Sequence, residues 1–534
     1  MPCAVAEHPL SPLDRCRALL AACTAALRDT LPADHVSALL TLLSLGEDDS
    51  FNAAPSERNS SGWNLALRLC IEHNPNPEFS TGRPLPATWA TTFLAECDRI
   101  ARLAAALDEG TTGYRQFEQH GPRHFAAWRV GATPSTEERE RADFDWWSAH
   151  LAHRSNPTVP LLPPEVSVDA PAAEEAYRDF GRAYIARFAC QHSYPPDAAI
   201  GGTTFARFAD ILALLIAWLC REHDRRAAPG EGNAPIVREE TALAAALADA
   251  LAADPAAIGE ALRYLTLDAE NAGYHSVAPS RAAPPLIRLP GGRIAWSSRG
   301  LLGTPYLFLM RELRRRHGQE YHNRAHLREG VFRGDLYRLF GDKRFVCSPA
   351  RVELRLEGKI RTDLDALIFD RKTGTLGIFE LKAQDPFAGS PAERQYQRDN
   401  FFHANYQIST IARWLQRHGA DEILARFDAR AAKQFRVHKV HLFVLGRYLA
   451  HFSGGPAPDR RAAWGSWAEV LRQTGDTPFA AAARNPLSTL FARLHAPAPR
   501  RAGPAANRDA IELDGLRLDL YPSFAAYKAT QPPN

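Results

Sequence analysis

Residues 361–382 read RTDLDALIFDRKTGTLGIFELK. Two runs, Leu364–Phe369 and Leu376–Leu381, are rich in aliphatic and aromatic residues, and Lys372-Thr373-Gly374 lies between them. That pattern predicts two strands joined by a tight turn. Asp365 stands early on the first strand and Glu380 late on the second. In an antiparallel hairpin an early residue faces a late one, and the point halfway between these two falls in the turn, so the carboxylates are expected to be near cross-strand neighbours. Glu380 and Lys382 are two apart and share a face, while Leu381 points the other way, into a core.

Two carboxylates held close repel each other unless a cation joins them. Oxygen ligands of this kind suit Mg²⁺ or Mn²⁺, which keep waters and accept a substrate phosphate. A lysine beside them can orient or deprotonate an attacking water and stabilise charge at the transition state. These are the parts for phosphodiester hydrolysis without a covalent intermediate.

Outward from the hairpin, helical periodicity runs from Pro305 to about Phe340, followed by short β-type runs at Arg344–Cys347 and Val352–Leu356. After it, Ser390-Pro391-Ala392-Glu393 forms a capping box opening a helix with Phe401, Ala404, Ile408, Ile411 and Leu415 on one face. Val437–Leu445 reads as a buried strand. With this element order, Asp365 followed by Glu380-Leu381-Lys382 resembles the PD-(D/E)xK nuclease superfamily, over roughly residues 320–447. The resemblance implies a restriction-endonuclease-like αβββαβ core, with Asp365 and Glu380 as metal ligands and Lys382 as the catalytic lysine. Leu364 stands where the family motif has proline. The family often adds a glutamate on the first helix. Glu329, in HLREGVFRGDLYRLF, is the best match, with Asp335 and Glu320 behind it. Some members carry a glutamine on the helix after the motif, for which Gln395 and Gln407 both remain open. Asp363 competes with Asp365 for the metal, but Asp365 directly precedes the apolar run Ala366–Phe369.

The rest of the 534 residues reads differently. Residues 1–155 are expected to form an α-helical domain, with Leu13, Cys16, Leu20, Cys23 and Leu27 on one helix face. Residues 156–171 hold five prolines and read as a linker. A second helical region is expected over 172–283, broken at 226–235. A hairpin at Leu286–Leu289 and Arg293–Ser297 opens the expected nuclease domain, 284–452. The remainder, 453–534, reads as an extension with a flexible Pro/Ala/Arg segment near 495–510 and a closing hairpin around Asp514-Gly515. The fold class expected is therefore α+β, a large α-helical front followed by the nuclease core.

Charge divides along the same line. Residues 1–300 carry 27 Arg and no Lys against 37 acidic residues, a net of −10, whereas residues 301–450 carry a net of +10. Only the basic part is suited to a polyanion, and the front is expected to bind protein or cover the basic face. The longest apolar run, Ile211–Cys220, is ten residues, too short to span a bilayer, and no signal-peptide pattern opens the chain. A cytoplasmic location without membrane association is expected. The eight cysteines include no Cys-x2-Cys pair, which argues against structural zinc. There is no phosphate-loop motif, no G-x-S-x-G and no H-E-x-x-H. His322 and His326 read as a solvated helix face, and Trp146-Trp147 as core. The function expected is Mg²⁺- or Mn²⁺-dependent nuclease, with the resemblance favouring DNA over RNA and an endonuclease over an exonuclease. The large extension suggests a prokaryotic defence or mobile-element role. The alternative is a non-catalytic nucleic-acid-binding or assembly protein that keeps the fold.

Overall fold

A computed structural model describes residues 10–52, 62–72, 85–130, 140, 147, 167–226, 235–276, 282–356, 359–385, 391–451, 457–474, 483–495 and 509–531. The architecture is mixed α and β, and three sheets organise it.

The sheet that carries the hairpin has five strands, ordered Ala462–Ser466, Lys439–Gly446, Thr375–Lys382, Ala366–Asp370 and Phe345–Cys347. Thr375–Lys382 runs antiparallel to Ala366–Asp370 and parallel to Lys439–Gly446. It is central and covered on both faces, which is why it reads as a nearly unbroken apolar run rather than an alternating one. Side chains alternate between two cores. Ala366, Ile368, Phe379 and Leu381 meet Phe332 and Leu336 of helix Ala325–Arg338, with Trp467 and Leu490. Leu367, Phe369, Leu376 and Ile378 meet Ala404, Ile408 and Ile411 of helix Pro391–His418. The sheet is thus the middle layer between two helical ones. The turn is pinned by buried Asp370, which accepts hydrogen bonds from Lys372 N at 3.0 Å and Thr373 Oγ1 at 2.7 Å and takes both arms of the Arg344 guanidinium at 2.6 Å. Gly374 has φ +62°, and a Cβ there would meet the His438 ring at 2.4 Å, so glycine is required.

Several boundaries differ from the sequence reading. The first run breaks at Asp365: Lys359–Leu364 pairs with Val352–Leu356 in a separate two-stranded hairpin, and Ala366–Asp370 belongs to the main sheet. The fifth strand, Ala462–Ser466, comes from beyond residue 452, so the sheet draws on the expected extension. The hairpin Leu286–Leu289 and Arg293–Trp296 does not join this sheet. It pairs with Val237–Glu239 and Thr266–Leu267, because those strands satisfy its edge hydrogen bonds. Its Leu286, Ile294 and Trp296 enter the core built on helices Pro171–Ala186 and Phe205–Arg226, while Ile287, Leu289 and Ala295 enter that of the first helices around Trp63. The boundary expected at 284 therefore runs through one sheet. The front is not purely helical either: Arg115–Gly121 and His124–Arg129 form a hairpin, and the closing hairpin Asp509–Leu513 and Leu516–Tyr521 pairs onto it in parallel.

The front and the five-stranded sheet are tied by buried polar contacts. Glu140 accepts from Ala450 N and His451 N at 2.9 Å, Tyr448 donates to Cys190 O at 2.8 Å, and Arg447 to Ser193 Oγ at 3.1 Å. Trp147 is buried in the core beside Phe332. Cys16, Cys23, Cys70, Cys97, Cys190 and Cys220 are buried free thiols. Among the described residues no single helix is long and apolar enough to cross a membrane. The expected linker before 167, Trp146, Ser390 of the capping box and the Pro/Ala/Arg segment 496–508 lie outside the described residues.

Candidate functional site

The hairpin register pairs Ala366 with Phe379 and Asp370 with Thr375, so its next step places Asp365 opposite Glu380. Asp365 leaves the ladder at the strand break and turns its carboxylate back: Oδ2 accepts from Leu381 N at 2.8 Å. Arg333 on helix Ala325–Arg338 donates to its carbonyl at 3.3 Å. Glu380 is buried, with Oε1 receiving Lys382 Nζ at 2.7 Å. Its Oε2 is buried without a hydrogen-bond partner. Lys382 Nζ also donates to Gln407 Oε1 at 3.0 Å, which fixes the ammonium between strand and helix.

Helix Ala325–Arg338 brings Glu329 to the same place, where its carboxylate is paired with Arg351. Arg351 also lies 3.4 Å from Asp363 through Nη1 and 3.4 Å from Asp365 through Nε. Asp365, Glu380, Lys382 and Glu329 are thus brought together, Asp363 borders them, and Gln407 rather than Gln395 reaches the lysine. Gln395 bonds Asp399 at 2.8 Å on the exposed side of the helix. Asp335 is paired with Arg447 at 2.5 Å, and Glu320 accepts from Gly201 N at 3.0 Å, so neither supports the cluster. His326 bonds Asn323 O at the end of the preceding helix, and His322 contacts the Tyr396 ring. Arg351 was not singled out by sequence reasoning; a lone arginine before a β-type run carries no signal until its partners are placed.

Burial dominates the electrostatics. It raises the Asp365 carboxyl and, with Asp365 nearby, pushes Glu380 up to about 8. Glu329 is raised by burial and then by Asp365. Burial works against the Lys382 cation, yet Glu380, Asp365 and Glu329 around it carry its pKa above the ordinary lysine value. Burial and the neighbouring Asp365 thus favour the protonated form of Glu380 in the ligand-free chain, against the pull of Lys382. An unfolded glutamate releases its proton near 4.5, so the favourable contribution is complete below 4.5 and is lost as pH rises toward 8. Urea unfolding at pH 6 and pH 8.5 is expected to show the wild type losing on the order of 2 kcal/mol more than Glu380→Gln across that window. Parallel pH profiles for the two proteins would place the titration elsewhere.

Among the described residues no group of three or more His, Cys, Asp or Glu side chains is disposed to hold a metal ion. Mg²⁺, however, is commonly held by one or two carboxylates together with waters and substrate phosphates. Asp365 and Glu380 meet that requirement, and the orphaned Glu380 Oε2 is a buried oxygen with an unused acceptor site. The donor set is all oxygen, which suits a hard cation rather than zinc. No family model, curated protein or solved structure matches the chain.

Proposed function

We propose that the chain is a metal-dependent nuclease acting on DNA, its five-stranded sheet and flanking helices forming a restriction-endonuclease-like core of the PD-(D/E)xK kind. The observation that carries this reading is the buried Glu380 carboxylate, which has one oxygen on Lys382 and the other unpartnered beside Asp365. A buried acid in such a state is a functional-site candidate, because the large majority of buried polar atoms find a hydrogen-bond partner and perturbed acids cluster at functional sites.

Asp365 and Glu380 are the ligands for Mg²⁺ or Mn²⁺. When bound, the ion supplies Lewis-acid stabilisation of the negative charge that builds on the phosphate. Lys382, held by Glu380 and Gln407, presents its ammonium at the same place and orients the attacking water. Glu329 adds a further carboxylate from the first helix. The net +10 of residues 301–450 supplies attraction for the nucleic-acid backbone, and the acidic front is suited to covering it or docking a protein partner. A nuclease fused to a large extension that restrains it suits antiviral defence.

Purified chain incubated with plasmid, linear duplex, single-stranded DNA and RNA, each with Mg²⁺, Mn²⁺ or EDTA, tests this. Cleavage of DNA with either ion, none with EDTA, and none by Asp365→Ala or Glu380→Ala is the expected pattern. Endonuclease action predicts that closed plasmid is cut. Binding of nucleic acid without cleavage under any condition would favour the non-catalytic alternative.

A further inference from the structure

Four carboxylates converge near the end of the hairpin: Glu329, Asp363, Asp365 and Glu380. In the ligand-free chain two cations lie against them, and the two are held very differently. Lys382 is 15% exposed, bonded to Glu380 at 2.7 Å and anchored from behind by Gln407. Arg351 is 38% exposed and spreads one guanidinium over three carboxylates: Nη2 on Glu329, Nη1 3.4 Å from Asp363 and Nε 3.4 Å from Asp365. It enters from the foot of strand Val352–Leu356, in the small hairpin outside the main sheet. A guanidinium closes tightly on a carboxylate through two parallel N–H bonds, and neither 3.4 Å contact has that form. The arginine side of these contacts is open to water, and ion pairs with a solvent-exposed member are weaker and more easily exchanged than fully buried ones.

We propose that Arg351 is the exchangeable counter-ion of this cluster: it lies among the oxygens that a divalent cation needs, and the cation displaces it from Asp365 and Glu329. This rests on the reading of Asp365 and Glu380 as metal ligands. Arg351 supplies positive charge to Glu329, Asp363 and Asp365 in the absence of metal. Entry of the ion costs the site this internal partner, so Arg351 sets the metal concentration at which the enzyme loads.

Titration calorimetry with Mn²⁺ on the full chain tests the exchange without recourse to activity. Arg351→Ala is expected to bind Mn²⁺ about tenfold more tightly than wild type, each displaced half-exposed pair contributing a factor of a few. Arg351→Gln, which keeps the chain length without the charge, should do the same. Arg355→Ala is the control for net charge: it removes an arginine from the same strand that pairs with Glu353 at 2.7 Å. Its Mn²⁺ affinity should stay within about twofold of wild type. Unchanged or weaker binding by both Arg351 variants overturns the proposal, as does an equal gain in Arg355→Ala. If wild type binds Mn²⁺ and loses it in Glu380→Ala while Arg351→Ala changes nothing, the metal reading stands and the exchange alone falls. If neither wild type nor the Arg351 variants bind Mn²⁺, both fall together.

Discussion

Lys382→Ala is expected to bind nucleic acid nearly as well as wild type and to cut it about 100- to 1000-fold more slowly, the usual loss for one positioned group acting on transition-state charge. Binding survives because one phosphate contact among many contributes only a share of the affinity. The fold should survive too, since Lys382 lies at the end of its strand and its partners, Glu380 and Gln407, retain hydrogen-bonding options. Without the ammonium, Glu380 loses the cation that opposes its raised pKa, and it should be protonated to a still higher pH. Lys382→Arg should also fail. The pocket between Glu380 Oε1 and Gln407 Oε1 holds a compact ammonium at 2.7 and 3.0 Å, and a planar guanidinium neither fits those two contacts nor gives up a proton. Single-turnover cleavage and filter binding on the same preparations separate the two effects. Equal cutting by wild type and Lys382→Ala, after controls for contaminating nuclease, would remove Lys382 from the chemistry.

The nearness of Asp365 to the end of the second strand was legible because a two-residue period and a tight turn leave one register for the hairpin, and the glycine at φ +62° marks that turn. Glu329 was legible from its place on the preceding helix. The choice between Gln395 and Gln407 was legible in principle: Gln395 is nine residues before Ala404, two and a half helical turns, and so opposite the apolar face, while Gln407 lies beside it. The strand Ala462–Ser466 was hidden because Ala, Gly and Ser carry little β preference; its place at the sheet edge comes from pairing with Lys439–Gly446, a tertiary effect. The strand Lys359–Leu364 does alternate at Ile360, Thr362 and Leu364, but the break at Asp365 cannot be seen in a run that continues apolar beyond it. The domain edges misled for a related reason. A hairpin signal fixes the local turn and says nothing about which distant strands will complete its edges, so the Leu286–Trp296 pair could be placed only once Val237–Glu239 and Thr266–Leu267 were seen beside it.

Asp385→Ala should destabilise the chain by about 3 to 5 kcal/mol, the cost of leaving a buried cation without its partner. Asp385 comes three residues after Lys382, and its carboxylate gathers three helices: Arg314 at 3.3 Å from Pro305–Arg316, the Tyr321 hydroxyl from Gly318–Asn323, and Arg328 at 2.8 Å from Ala325–Arg338. Arg328 has a side chain only 3% exposed and spends its other arm on Gln384 O at 2.6 Å. Burial alone would raise the Asp385 pKa, but Arg328 and Arg314 outweigh it and hold the carboxyl below the ordinary aspartate value. A depressed acid stabilises the fold above its unfolded pKa of 3.8, so the whole contribution is present at neutral pH and fades only as pH falls through the folded value. Asp385→Asn keeps an acceptor for Tyr321 but not the charge, and should fall between wild type and alanine. The double variant Arg328→Ala/Asp385→Ala should lose less than the two single losses added, because removing Arg328 takes away the stranded cation that makes Asp385→Ala costly. Since Arg328 is next to Glu329 on the same helix, the single Asp385 variant should also slow cleavage by loosening that helix against the end of the central strand, at substrate concentrations where binding is saturated. Urea unfolding of wild type, Asp385→Ala, Asp385→Asn, Arg328→Ala and the double variant at pH 7, with cleavage rates alongside, would expose the failure of this account if Asp385→Ala unfolds within about 1 kcal/mol of wild type, the range ordinary for an exposed ion pair.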